Sequence, residues 1–254
     1  MNKYNIPTLS FCITCKNRFH QISKTLPVNL NDNRLYSHLI EFILVDFGST
    51  DGLKDWVKKY HINDIESGYL KYYYTEELKF WHAPIAKNTS HYFAHNDILV
   101  NLDCDNFTGP DGGRFIIRQF LNSQDAIVLH LINSDYRNGS FGRICMNVKY
   151  FDQVGGYDES FLPMAYQDND LIDRLISIGL KEVRLVDDRF TNAIRNTKEE
   201  GLSFSIQNMA WEDMLKHNKH ISQTNISSGH FITNKSNGYG IRVLYDILGN
   251  KIEK

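Results

Sequence analysis

No run of apolar residues in this 254-residue chain approaches the roughly 18 needed to cross a bilayer. The opening stretch, MNKYNIPTLSF, has no apolar core of the signal-peptide kind. Cysteine is scarce: Cys12, Cys15, Cys104 and Cys145 are too few and too scattered for a disulfide framework. These absences point to a cytoplasmic protein, with peripheral contact at the inner membrane face left open. Proline is rare too, with five residues, and no Pro/Gly tract is long enough to separate two domains. Neither sign of charge dominates. Lys plus Arg number 28 against 30 Asp plus Glu, a net charge of -2, which excludes a general nucleic-acid binder. Glycine-rich phosphate loops of the G-x-G-x-x-G or Walker type are absent. What is there is an ordinary folded composition, 42% hydrophobic and 23% charged, sufficient for a sizeable core without staples.

The apolar segments fall into a strand–helix alternation. Residues 8–14, 41–46, 69–74 and 97–102 read as buried strands. Helical stretches at 19–30, 53–61 and 83–95 separate them. This rhythm predicts an α/β chain built on a mostly parallel sheet flanked by helices. Further strands are expected at 125–132, 143–148 and 181–186. A helix opens at Asp168-Asn169-Asp170 and stops at Gly179, and an amphipathic helix lies near 206–217.

In such sheets ligands bind beyond the carboxyl ends of the strands, and the polar residues gather there. Asp103-Cys104-Asp105 follows an apolar strand, and two carboxylates at i and i+2 can converge on one hard cation, Mn2+ or Mg2+. Asp46 closes another strand and can accept an N–H from a nucleobase edge, while Ser49, Thr50 and Asp51 are expected to cap the helix that follows. Lys16 and Arg18 lie beyond the first strand, where they can meet phosphate. Asp168 suits either a helix cap or a general base, and the sequence alone does not choose.

Taken in order, TCKNR, ILVDFGSTDG, APIAKN, ILVNLDCDN, GGYDESF and QDNDLIDRL resemble the GT-A glycosyltransferases of the family 2 type. The chain also resembles the β-1,4-galactosyltransferase and chondroitin polymerase catalytic domains. The resemblance runs from about Leu9 to Glu200. It implies a single GT-A (Rossmann-like) domain over 1–254, with a nucleotide-binding half at about 1–105, an acceptor-binding half at 106–200 and an extension at 201–254. It implies that Thr14, Cys15, Lys16, Asn17, Arg18, Asp46, Ser49, Lys87, Asn88 and Asp103 line a nucleotide-sugar pocket. Gly155, Gly156, Tyr157, Asp158 and Gln167 would shape the donor-sugar and acceptor side. Asp103 and Asp105, with Asn196 as a third ligand, would hold the metal, and Asp168 would be the catalytic base. The implied reaction is inverting hexosyl transfer from a UDP-sugar to a glycan or lipid-linked glycan, in surface polysaccharide or glycoconjugate synthesis.

Three positions depart from the family pattern. Gln167 replaces an acid beside Asp168, Asn196 stands where a His ligand is usual, and Lys87 replaces an Arg. A weak amide ligand at Asn196 leaves room for His217 or His220 as a substitute. Gln167 and Asn196 also keep alive a catalytically silent sugar-nucleotide or glycan-binding protein. A nucleotidyltransferase would carry a Gly-rich basic loop near the N-terminus, and there is none before Gly48. Cys12 and Cys15 form a C-x-x-C, but a strand sends residues three apart to opposite faces, so no metal or redox pair is expected. Trp81 and Trp211 suit sugar stacking, and core packing at least as well.

Overall fold

A computed structural model describes residues 6–123, 126–197, 209–235 and 238–254. One nine-stranded sheet runs through them. In chain order its strands are β1 (Leu9–Cys15), β2 (Ile40–Asp46), β3 (Leu70–Tyr74), β4 (Ile98–Asn101), β5 (Ile127–Ile132), β6 (Ile144–Asn147), β7 (Lys181–Val186), β8 (Val243–Asp246) and β9 (Lys251–Glu253). Their spatial order is β7-β5-β6-β4-β1-β2-β3-β8-β9. The central strands β4, β1, β2 and β3 are mutually parallel, as the strand–helix rhythm predicts. β6 runs antiparallel to both β4 and β5, and β8 and β9 add antiparallel strands beyond β3.

The centre reads as it does because both faces are covered. Every residue of β1, β2 and β4 is buried, so these strands are continuous apolar runs rather than alternations. Leu9, Phe11, Ile13 and Cys15 join one core cluster and Cys12 joins the other. The two cysteines therefore sit on opposite sides of the sheet, and the C-x-x-C is not a pair.

The helices are α1 (Phe19–Asn33), α2 (Leu53–Tyr60), α3 (Ile62–Glu66), α4 (Ala83–Tyr92), α5 (Gly112–Ser123), α6 (Val148–Val154), α7 (Gln167–Ser177) and α8 (Trp211–Ser227). Four differ from the sequence reading. α3, α5 and α6 lie in stretches given no helix. α8 begins and ends later than the expected 206–217, of which 206–208 fall outside the described residues. Glu212 and Asp213 favour its first turn through the helix dipole. Its inward stripe is Met214, Asn218 and Ser222, at intervals of four. Two of those three are polar, so apolar periodicity could not trace the helix to its end.

α1 presents a polar inner face to the loop after β4. Thr25 Oγ1 donates to the Cys104 carbonyl at 2.6 Å, and Asn29 accepts from Thr108 N–H at 2.8 Å while donating to the Asn106 carbonyl at 2.9 Å. Asn33 accepts from Gly113 N–H at 2.8 Å. Gly109 lets this loop close, since it adopts a φ of +71° and a Cβ there would stand 2.0 Å from the Arg189 carbonyl. The segment carrying Asp103 and Asp105 is thus fixed from behind.

Candidate active site

At the carboxyl ends of β1 and β4 lies a cavity of about 220 Å³. Thr14, Arg18, Gln21, Asp103, Asp105 and Asn196 line it. So do Trp81, Ala83, Lys87, Met164, Gln167 and Asp168. The fold therefore gathers both carboxylates of Asp103-Cys104-Asp105, the cation of Lys87 and the carboxylate of Asp168.

Asp105 is buried, and its Oδ1 accepts from Asn106 Nδ2 at 2.6 Å. Asn196 Nδ2 donates to Asp105 Oδ2, and Asn196 Oδ1 accepts from Gln21 Nε2. Burial, with Asp103 as the next cause, pushes the Asp105 carboxyl up to about 7. The two carboxylates are hard donors that fit Mg2+ or Mn2+, and Asn196 would join them only with its amide turned over, since its Oδ1 is taken by Gln21. Among the described residues no cluster of three or more His, Cys, Asp or Glu is gathered for a metal. His217 and His220 are exposed on α8 and do not line the cavity, so neither replaces Asn196 there.

Protonation of Asp105, and so its pKa, is linked to folding. Its folded value lies above the ordinary 3.8. The proton is therefore held more tightly in the folded chain, and the stability it contributes at low pH is lost as pH rises from about 4 to about 7. A divalent cation competes for the same ionised carboxylate. The Mn2+-induced rise in Tm is expected to be larger at about pH 8 than at about pH 5. Asp105→Asn should erase that difference in a thermal-melt series. Equal shifts at both pH values in the wild type would remove Asp105 from the metal set.

Lys87 joins the two halves of the site. Its Nζ is 2.7 Å from Asp168 Oδ1 and 3.7 Å from Asp103 Oδ1, and the side chain is almost fully buried. Burial alone would lower its pKa, but Asp103 and Asp168 outweigh it and the net shift is upward. Beneath Lys87 lies the Tyr157 ring, 5.4 Å from Nζ.

Asp168 stands in the first turn of α7, yet no side chain caps that helix. Its carboxylate instead takes Lys87 on Oδ1 and Gln167 Nε2, at 3.1 Å, on Oδ2. The Gln167 Oε1 is buried without a hydrogen-bond partner. Just before α7, Ala165 and Tyr166 both take left-handed backbone, with φ of 74° and 66°, a conformation costly for residues with a Cβ. Asn218 from α8 holds this turn. Its Oδ1 accepts from Leu162 N–H at 2.8 Å, and its Nδ2 donates to the carbonyls of Leu162, Met164 and Ala165 at 3.1, 2.9 and 2.8 Å.

Other expected site residues sit behind the cavity rather than in it. Asp46 is fully buried, with Ser49 N–H on Oδ1 at 2.8 Å and the Tyr72 hydroxyl on Oδ2 at 2.7 Å. The Lys16 ammonium donates to the Phe47 and Leu78 carbonyls at 2.6 and 3.1 Å. Asn17 Oδ1 accepts from Thr50 N–H at 2.7 Å. Cys15 packs into the core. Asn88 is buried, donating to the Tyr157 carbonyl and Glu159 at 2.8 Å and accepting from Tyr157 N–H at 2.7 Å. It braces the turn of Gly155 and Gly156, both at positive φ. Tyr157 is buried, and Asp158 turns its Oδ1 onto Ser160.

Ser49 and Asp51 do not cap α2, whose N-cap is Gly52 with no side-chain bond. They serve the other helix. Ser49 Oγ accepts from Asn17 N–H at 2.9 Å, and Asp51 Oδ2 accepts from Phe19 N–H, the first residue of α1, at 2.8 Å. A cap supplied from 32 residues away leaves no local sequence signal.

Sequence reasoning missed Gln21, Met164, Gly142 and Asn218. Gly142 lies where a Cβ would stand 3.1 Å from Asp103 Oδ2 and 3.2 Å from both Asp168 Oδ2 and Lys87 Nζ. Its smallness is what lets those three groups meet, and one glycine in a loop does not announce that.

The family model described as glycosyl transferase family 2 matches residues 10–160. No curated protein matches the chain. Among solved structures, the mannosyltransferase PcManGT from Pyrobaculum calidifontis, in complex with GDP-Man and Mn2+, superposes with a TM-score of 0.59 at 16% identity, over 72% of this chain and 56% of that one. S. aureus TarS in complex with UDP-GlcNAc gives a TM-score of 0.60 at 15% identity, over 75% of this chain and 59% of that one. TarS in complex with UDP gives 0.60 at 16% identity, over 91% and 73%. The chain thus spans little more than half the length of the mannosyltransferase, and the likeness is one of fold, GT-A.

Proposed function

The chain belongs to glycosyl transferase family 2, and from that premise we propose that it transfers a sugar from a UDP-sugar to a hydroxyl of a saccharide or lipid-linked saccharide, inverting the anomeric centre. The observation that carries this reading is the meeting of Asp103, Asp105 and Asp168 in one cavity, with Lys87 bridging Asp103 and Asp168. In this reading residues 1–105 bind the nucleotide, 106–200 receive the acceptor, and the segment after 200 supports both. β8 extends the sheet beside β3, and Asn218 holds the turn before α7.

Asp103, Asp105 and the Asn196 amide would hold Mn2+ or Mg2+. When bound, the ion supplies positive charge to the diphosphate as it departs. Arg18, just before α1, lines the same cavity and suits bidentate pairing with phosphate. Lys87 holds Asp168 Oδ1 in place. Asp168 takes the proton from the acceptor hydroxyl as the oxygen attacks. Attack from the side opposite the leaving diphosphate is one displacement and so inverts the centre. Asp46, Lys16, Asn17 and Ser49 serve by fixing the loop that frames the nucleotide rather than by touching phosphate. GDP-Man and UDP-GlcNAc in the complexes of the structural neighbours support a nucleoside diphosphate sugar as donor.

Calorimetric titration of UDP with and without Mn2+ tests the reading. Asp103→Ala is expected to remove the Mn2+-dependent part of UDP binding, a loss of about tenfold or more in affinity. Unchanged binding would sink the metal assignment. A wild-type chain that binds UDP-sugars yet neither transfers nor hydrolyses any would support the silent binding protein instead.

A further inference from the structure

Arg143, just before β6, is buried, and among the described residues no carboxylate forms an ion pair with it. Arg174 is the contrast: equally buried, it sets its Nε 2.8 Å from Asp170 Oδ2. A guanidinium keeps its charge, and burying one without a carboxylate is costly. Arg143 directs its hydrogen bonds to two neutral acceptors instead. Nη1 donates to the Phe107 carbonyl and Nη2 to Asn106 Oδ1, both at 2.8 Å. Its Nε is buried without a partner. Neither Arg143 nor Asn106 lines the cavity, whereas Asp105, which Asn106 touches, does.

The bond to Arg143 decides which way the Asn106 amide points. Arginine only donates, so Asn106 turns its oxygen to Arg143 and its nitrogen away. That nitrogen meets Asp105 Oδ1 at 2.6 Å, with the Gly139 carbonyl a longer second acceptor at 3.4 Å. Asp105 Oδ2 is left on the side of Asn196, which lines the cavity. Backbone bonds hold this loop without help from Arg143. Asn106 N–H donates to the Asp103 carbonyl at 2.9 Å, Phe107 N–H to the Asn192 carbonyl at 2.9 Å, and Ile194 N–H to the Asp105 carbonyl at 2.8 Å. What those bonds leave open is the torsion of the Asp105 side chain, and Arg143 and Asn106 together close it.

We propose that Arg143 is a positioning residue for the divalent cation: acting through Asn106, it holds back Asp105 Oδ1 and presents Oδ2 to the metal. The proposal rests on the metal-dependent glycosyltransferase reading above and deepens it. Charge and orientation make opposite predictions here. A cation behind two carboxylates repels a divalent ion, so its removal, through charge alone, would tighten metal binding. Orientation works the other way. Without Arg143 the Asn106 amide can turn over, Asp105 is free to rotate, and metal binding weakens.

The readout is the factor by which one fixed concentration of Mn2+ tightens UDP binding, measured by calorimetry beside a metal-free thermal melt. Arg143→Met keeps the apolar stem of the side chain and is expected to lower that factor about tenfold. Asn106→Ala should lower it as far. Adding Arg143→Met to Asn106→Ala should cause no further fall, because both act through one contact. A role confined to folding would lower the metal-free melt and leave the factor unchanged, which overturns the proposal. A raised factor, the sign of charge acting alone, also overturns it, as does a further fall in the double variant. If Arg143→Met does not fold, Arg143→Lys carries the test. It keeps the charge and loses the planar pair of donors, so the factor should still fall, and a wild-type factor overturns the proposal. The wild type separates the two readings. UDP binding that ignores Mn2+ there removes the metal reading itself, whereas a normal wild-type response with unchanged variants removes the role of Arg143 alone.

Discussion

Asp168→Asn is expected to lower the rate of sugar transfer by a factor of about 10²–10⁴ while UDP and Mn2+ still bind. The substitution keeps the size and position of the side chain and removes the group that can take a proton. Asp103 and Asp105 keep their places behind α1, so the donor side is preserved. A second effect should accompany the first. Lys87 is buried and bonded to Asp168 at 2.7 Å, with Asp103 further away at 3.7 Å. The amide oxygen introduced there can still accept from that ammonium, but its charge is then faced by Asp103 alone at 3.7 Å, so the chain should also lose about 3 kcal/mol of stability. Transfer assays on the purified variant, beside UDP calorimetry and a denaturant melt, separate the two effects. Transfer at the wild-type rate would dismiss Asp168 as the base. A normal rate with a lowered melt would leave it as a structural partner of Lys87.

Asn218→Ala should damage the enzyme from outside the cavity. Four hydrogen bonds to Leu162, Met164 and Ala165 disappear, and their backbone partners are left to water that the fold admits poorly. A loss of about 3 kcal/mol follows from stranding buried polar groups. For a chain of this size that is roughly 6–12 °C in Tm. The same bonds hold Ala165 and Tyr166 in left-handed backbone immediately before Gln167 and Asp168. Once released, that turn can relax and move the base, and a small displacement of a catalytic group costs about 10² in rate. The expected signature is a fall in kcat with the donor KM little changed. Asn218→Asp should be no better than Asn218→Ala, because it sets a carboxylate against three carbonyl oxygens. Wild-type kcat in a destabilised Asn218→Ala protein would confine the residue to packing.

The strands were legible wherever burial on both faces made them continuous and apolar. β1, β2 and β4 fall within a residue or two of their expected bounds. β7 falls on its bounds without that burial, since each of its residues is exposed or half-buried. The site was legible in outline for a related reason. A parallel sheet places its polar strand ends together, so Asp103 and Asp105 could be grouped with Thr14 and Arg18 before any coordinates, whereas Lys87 and Asp168, both on helices, joined the group only through the family resemblance. What escaped was held by long-range polar contacts. α8 packs through Asn218 and Ser222, which leave no apolar stripe. α5 follows a glycine-rich loop that looks like a turn and nothing more. Gly142 matters through what it omits. Asp46 and Lys16 have the residue types of ligands and the positions of ligands. Tyr72, Ser49, Phe47 and Leu78 nonetheless take up their polar atoms, and sequence spacing cannot reveal that.

The exchange of bonds between the ends of β1 and β2 has a consequence for building hybrids of this enzyme. Lys16, Asn17 and Phe19 are anchored by Phe47, Ser49, Thr50 and Asp51. The two loops are therefore one inheritable unit, although helix α1 and strand β2 lie between them in the chain. A chimaera whose crossover falls between Phe19 and Asp46 joins loops from different parents and leaves α1 without its borrowed cap. A crossover after Gly52 carries the whole unit across intact.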